Sequence, residues 1–308
     1  MTKQSTCLIF AHRGANREAA GDCMAATAPG SLAAFPTSME GGSGGTTPRV
    51  GAVESRQEWR SRAMHGVIAE NTRAAFDKAL KYPIDGIETD VQLTLDEIPV
   101  LWHDWYLDKL GFSGKRIDDF NFSQLEKMDF GCYCSADLAP EGALSLKEFI
   151  DSYRGRCGLD IELKSCDGEP QQRLERKVLQ ILAVIGTSAD DGVFISSYSL
   201  PGLVLAHQHE PDLPLYYLLS GYHTQSDIEK FLQDYSFLNG FCLPIDIHND
   251  AIAKLLRDNG KSVGVYTCNS VEEIQKALDL KVNILITDYP PLALQMRDLG
   301  SCCNPNPL

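Results

Sequence analysis

The chain has 308 residues, 44% hydrophobic and 23% charged, which is enough apolar matter to bury a large globular core. Its 42 acidic and 28 basic side chains leave a net charge of −14, a field that repels nucleic acid, anionic lipid and phosphate. A nucleic-acid role is disfavoured, and a phosphate-handling role would demand local cations. No window approaches the roughly 18 consecutive apolar residues of a membrane span, and the apolar run before His12 is too short for a signal-peptide core. The ten cysteines, with Cys132/Cys134 and Cys302/Cys303 matching no zinc spacing, read as reduced thiols of a cytoplasmic protein.

In chain order, strand-like runs fall at 7–11, 86–91, 158–163, 193–197, 213–218, 240–243, 262–267 and 283–287. Helical periods fall between and after them, at 70–80, 146–153, 172–185, 200–209, 225–234, 249–259, 271–280 and 291–299. Strand and helix alternating eight times predicts an α/β fold, a (β/α)₈ TIM barrel, with a doubly wound open sheet as the alternative. The run at 98–101 predicts a hairpin folding back on the second strand, with Thr94, Asp96 and Glu97 in the turn. From 19 to 68 no period is sustained, and Gly-Gly-Ser-Gly-Gly at 41–45 has the composition of a flexible linker. The expected organisation is one barrel domain over 1–300, interrupted by this long insert between strand 1 and helix 1, with a tail at 301–308.

Barrel chemistry belongs at the C-terminal ends of the strands, and the first three strands end in reactive side chains. They deliver His12 and Arg13, then Glu88 and Asp90, then Glu162 and Lys164, while the hairpin returns His103 and Asp104. Glu88 and Asp90, two apart on a strand, share a face. With Glu162 they make three oxygen donors, a set suited to a hard divalent cation such as Mg²⁺ or Ca²⁺. A salt-bridged pair of surface acids is the plainer alternative, weakened by the neighbouring histidines. His12 and His103 have the side chain suited to proton transfer near neutrality, and Arg13 and Lys164 supply the cations for a phosphate. His65, His207, His209, His223 and His248 read as ordinary core or surface residues. The later strands end in less reactive groups, Ser196, Ser197, Tyr266 and Asp288. No nucleotide-binding loop of the Gly-x-x-x-x-Gly-Lys type is present.

These stretches, together with Glu70-Asn71-Thr72, Gly86–Thr94, Pro99–Asp104, Asp160–Lys164, Val265–Asn269 and Ile286–Pro290, resemble the glycerophosphodiester phosphodiesterase family. The resemblance runs over nearly the whole chain apart from the insert. It implies a TIM barrel, a metal held by Glu88, Asp90 and Glu162, and His12 and His103 as an acid–base pair. It further implies Arg13 and Lys164 on the phosphate, and Glu70 on the glycerol end or beside the metal. Glu70 could equally be an acid in the first turn of a helix. The chain departs from the family pattern at Ala69, Glu97 and Tyr266, where Pro, Gly and Trp are usual, and none of these removes a reacting group. The implied partner is a small-molecule glycerophosphodiester, hydrolysed to glycerol phosphate and an alcohol. Two alternatives are a phospholipase-D-like enzyme acting on lysophospholipids and a non-catalytic barrel whose insert docks a protein. Self-association into a homo-oligomer is left open.

Overall fold

The computed structural model describes residues 7–15, 68–134, 139–166, 168–186 and 192–302. The predicted insert lies almost wholly outside the described residues, as do His65 and most of the predicted tail.

The strands are β1 (Leu8–His12), β2 (Gly86–Leu93), β3 (Pro99–Leu101), β4 (Gly158–Leu163), β5 (Val193–Ser197), β6 (Leu215–Leu218), β7 (Gly240–Pro244), β8 (Ser262–Tyr266) and β9 (Ile284–Thr287). All except β3 pair in parallel, and β1 pairs with both β9 and β2, which closes an eight-stranded barrel. The open-sheet alternative is thereby set aside. β3 is the predicted hairpin arm, antiparallel to β2, with Val91 opposite Leu101. Its turn uses the expected residues. Thr94 Oγ1 bonds Asp96 Oδ1 at 2.6 Å and accepts from the Ile98 amide at 2.9 Å.

The helices are α1 (Arg73–Ala79), α2 (Phe122–Leu125), α3 (Leu146–Tyr153), α4 (Gln171–Ile185), α5 (Leu200–His209), α6 (Gln225–Asp234), α7 (Asp250–Asp258), α8 (Val271–Asp279) and α9 (Pro290–Cys302). Several begin where a side chain caps the free amides. Ser145, Thr224 and Ser270 each accept from the third helical amide, and Glu148, Asp227 and Glu273 reach back to the cap. The apolar faces of the helices pack on the outer faces of the strands. Ile87, Ile161, Ile195, Phe241 and Val265 meet Phe149, Val178, Ile181, Leu203 and Ile274 in one continuous core.

Inside the barrel the filling is different. Phe10, Phe194, Ile284 and Ile286 cluster there, and the Phe10 ring occupies the space left by Gly86, its partner in register. A third, smaller core gathers Val100, Trp102, Leu107, Ile117, Leu125 and Phe130 beyond the hairpin. It steadies the segment that follows His103.

Candidate active site

β1 ends at His12, and the chain then turns sharply. Arg13 has φ of 52° and Gly14 φ of 86°, both in the left-handed region. A side chain at Gly14 would drive into the backbone of Ala75, so glycine is required there twice over. Arg13 is strained by about 1 kcal/mol or more, a cost found where a site needs a particular direction. The turn carries its guanidinium onto the acids, with Nε 3.1 Å from Asp90 Oδ2 and Nη1 3.2 Å from Glu70 Oε2. The Arg13 amide donates to the carbonyl of Glu88 and to its carboxylate.

Glu70-Asn71-Thr72 forms the approach to α1. Thr72 is the N-cap, so Glu70 precedes the helix and is not a first-turn acid. Its carboxylate instead bridges Arg13 and Lys109, at 3.2 and 3.0 Å. Against the cost of burial, those two cations hold it below the usual carboxylate range. Asn71 accepts from Thr89 Oγ1 at 2.7 Å and donates to Asp90 Oδ2 at 2.9 Å, fixing the Asp90 carboxylate from behind.

Glu88, Asp90 and Glu162 bring carboxylate oxygens within 4.8 Å of one another, as adjacent strands require with Asp90 opposite Glu162. Burial and then the charge of Asp90 push Glu88 well above the ordinary range. Asp90 goes the other way. Despite its burial, Arg13 and Lys164 keep it ionised far below its usual value. Lys164 Nζ is 3.3 Å from Asp90 and 3.1 Å from Glu162, yet Asp90 Oδ1 has no bond of proper geometry. Three crowded acids with one orphaned oxygen suit a small hard cation, so the residues present fit a divalent ion. One layer below, Asp160 is wholly buried, and that burial lifts it to about 8, which keeps it neutral near pH 7.

The histidines are held alike. His12 Nδ1 is 2.7 Å from Asp288 Oδ1, and His103 Nδ1 is 2.8 Å from Asp104 Oδ1. A carboxylate on Nδ1 fixes the tautomer and leaves Nε2 for chemistry. Asn269 Nδ2 holds the second oxygen of Asp288 at 2.8 Å, and its Oδ1 accepts the Asp288 amide. Against burial, the bonds from His12 and Asn269 lower Asp288 to about 2. The sequence had set the end of β9 among the less reactive strand ends. Only proximity in the closed barrel reveals Asp288 and Asn269 as partners of His12. All eight predicted site residues converge on one mouth, joined through Asp90, Glu70 and the hairpin.

Two carboxylate-held imidazoles and two cations thus stand around one acidic cluster at the mouth of a closed (β/α)₈ barrel. The family model for the glycerophosphoryl diester phosphodiesterase family matches residues 62–292. The glycerophosphodiester phosphodiesterase of Bacillus subtilis is 27% identical over 75% of this chain and 83% of its own. A phosphodiesterase of Oleispira antarctica, solved with the product sn-glycerol-3-phosphate, aligns with a TM-score of 0.67 at 24% identity, over 77% of this chain and 94% of its own. A structure from Silicibacter pomeroyi bearing the family name aligns with a TM-score of 0.72 at 20% identity, over 96% and 95% of the two chains. The chain belongs to the glycerophosphoryl diester phosphodiesterase family and is a phosphoric diester hydrolase. Among the described residues, no helix is long and apolar enough to cross a membrane.

Proposed function

We propose that the protein hydrolyses small glycerophosphodiesters, in a metal-dependent reaction, with His12 and His103 as the acid–base pair. The observation that carries the reading is the matched pair of imidazoles, each held at Nδ1 by a carboxylate, at the mouth where the acidic trio gathers. Glu88, Asp90 and Glu162 would hold the divalent ion, Mg²⁺ or Ca²⁺. When bound, such an ion offsets phosphate charge and acidifies the attacking hydroxyl.

The chain's own residues do the rest. Lys164 and Arg13 stand at the acids they share with that ion, where an arriving phosphate finds two further cations. His12, with its Nδ1 proton tied to Asp288, takes the proton of the nucleophile at Nε2. His103, held through Asp104, gives a proton to the departing alkoxide. Glu70, fixed between Arg13 and Lys109, would accept a hydrogen bond from a glycerol hydroxyl. The family name and the product bound in the Oleispira antarctica structure support this substrate class.

His12→Ala and His103→Ala should each lower turnover of glycerophosphocholine by about 10²–10⁴ with unchanged thermal stability. Near-normal turnover in either variant would remove that histidine from the mechanism. Adding Mg²⁺ or Ca²⁺ to chelator-treated protein should raise the melting temperature, and Asp90→Asn should abolish that rise. A melting curve indifferent to both ions would sink the metal assignment.

A further inference from the structure

Lys109 enters the reaction as drawn only by holding Glu70, yet it is also the cation bound to the carboxylate that holds His103. Its Nζ is 2.9 Å from Asp104 Oδ2 and 3.0 Å from Glu70 Oε1, and it lies 5.5 Å from the centre of the Tyr133 ring. It sits on the short 3₁₀ turn Asp108–Leu110, which is anchored by Leu107, fully buried in the small core beyond the hairpin. The backbone that carries it is therefore anchored from outside the barrel, and its ammonium, on a side chain 39% exposed, is held by the two carboxylates it meets.

Asp104 needs that help. It is the residue next to His103, on the same loop, and the two side chains are 30% and 32% exposed. A carboxylate that close in sequence and that open to water has little of its own to keep it on the imidazole. The other histidine shows the complete arrangement. There, one oxygen of Asp288 takes His12 while the second takes Asn269 from a different strand end. At His103 the corresponding second donor is Lys109. Against the cost of desolvation, Glu70 and Asp104 hold its pKa above the usual lysine value, so it stays charged.

We propose that Lys109 is a positioning residue. It clamps Asp104 Oδ2, keeps Asp104 Oδ1 on His103 Nδ1, and thereby leaves Nε2 as the nitrogen serving the leaving oxygen. The inference rests on the reading of His103 as the acid. In that step the nucleophile's oxygen, its proton passed to His12, bonds to phosphorus as the P–O bond to the leaving oxygen breaks; that bond's electron pair stays on the leaving oxygen, which takes the proton from His103 Nε2. A leaving group stable as an anion needs no such proton.

The test compares two esters, glycerophosphocholine and glycerophosphoryl p-nitrophenol, on the metal-loaded full chain. Lys109→Met should lose about tenfold to a hundredfold in kcat on the choline ester, while any loss through the freed Glu70 falls equally on both esters, which share the glycerol end. On the nitrophenyl ester the loss should shrink to about threefold or less. Lys109→Arg, which restores a donor to Asp104, should recover most of the choline-ester rate. His103→Ala should show the same dependence on leaving group, more steeply. Equal losses of Lys109→Met on both esters, or failure of Lys109→Arg to recover with an unchanged melting temperature, would overturn the role of Lys109. If His103→Ala shows the leaving-group pattern and Lys109→Met does not, only the Lys109 inference falls. If His103→Ala loses equally on both esters, the acid assignment falls and the Lys109 inference falls with it.

Discussion

His248, just before the Asn249 cap of α7, is 1% exposed, and neither ring nitrogen has a hydrogen-bond partner among the described residues. Burial, aided by Lys276 and Arg257, lowers its pKa from the usual 6.5 to about 4, while Asp250 opposes the shift. Between those values the unfolded chain binds a proton that the native ring refuses. Stability is therefore full above pH 6.5 and falls as the pH drops towards 4, by an amount on the order of 2 kcal/mol after allowance for partial solvation. His248→Leu should flatten that acid limb. It should also raise stability near pH 7 by about 1 kcal/mol, because an unsatisfied polar group is replaced by an apolar one. Chemical denaturation at pH 5 and 7.5 decides it, since an unchanged pH slope would contradict the assignment. The sequence had counted His248 as ordinary. Residue type and strand-end position were enough to anticipate that His12, His103 and the carboxylates meet at one mouth, because those cues are local. Whether a buried ring is satisfied, or which acid meets it, depends on contacts such as His12 with Asp288, 276 positions apart.

At the scale of elements the pattern was more legible. Helices at 146–153, 200–209 and 225–234 lie where the apolar period placed them, and their caps explain why. The start of α1 differed, since Thr72 rather than a residue before Glu70 caps it. Barrel interiors are set by complementary sizes, which no single strand displays. A Cβ at Gly86 would fall inside the Phe10 ring. Gly86→Ala should therefore cost about 1–3 kcal/mol by overpacking, and Phe10→Leu in the same chain should recover part of it. Additive losses in the double variant would deny the contact. The loop after β4 depends on a buried cation in the same way. Lys177 Nζ donates to the Lys164 carbonyl at 2.6 Å and to Glu169 at 2.7 Å, with both side chains under 5% exposed. Lys177→Met removes the shorter of the two ion pairs to Glu169, leaving Arg173 at 3.3 Å, and should destabilise the fold by about 1–3 kcal/mol, read as a lower midpoint in urea.

Across the whole molecule, the eight parallel strands and all eight site residues lie outside 19–68. We propose that replacing 19–68 with a short linker leaves a folded, metal-responsive hydrolase. Loss of turnover with melting temperature and metal response intact would show that the segment serves the reaction.

Closure of the barrel has a consequence for how the molecule comes into being. β9, which pairs with β1, brings Asp288 to His12, and the two come from opposite ends of the chain. A nascent chain that has displayed every strand up to β8 already contains His12, His103, the three acids and both cations. It still lacks the strand that completes the ring and the acid that sets the first histidine. Contacts of such sequence separation form slowly, because a very long loop must close before they contribute. Catalytic competence thus waits for the last strand of the barrel, and hydrolysis is a report that the ring has shut. Release of the chain at residue 281 should yield a product with every proposed catalytic side chain and no turnover. Activity in such a truncated chain would show that the first strand finds its geometry without the last.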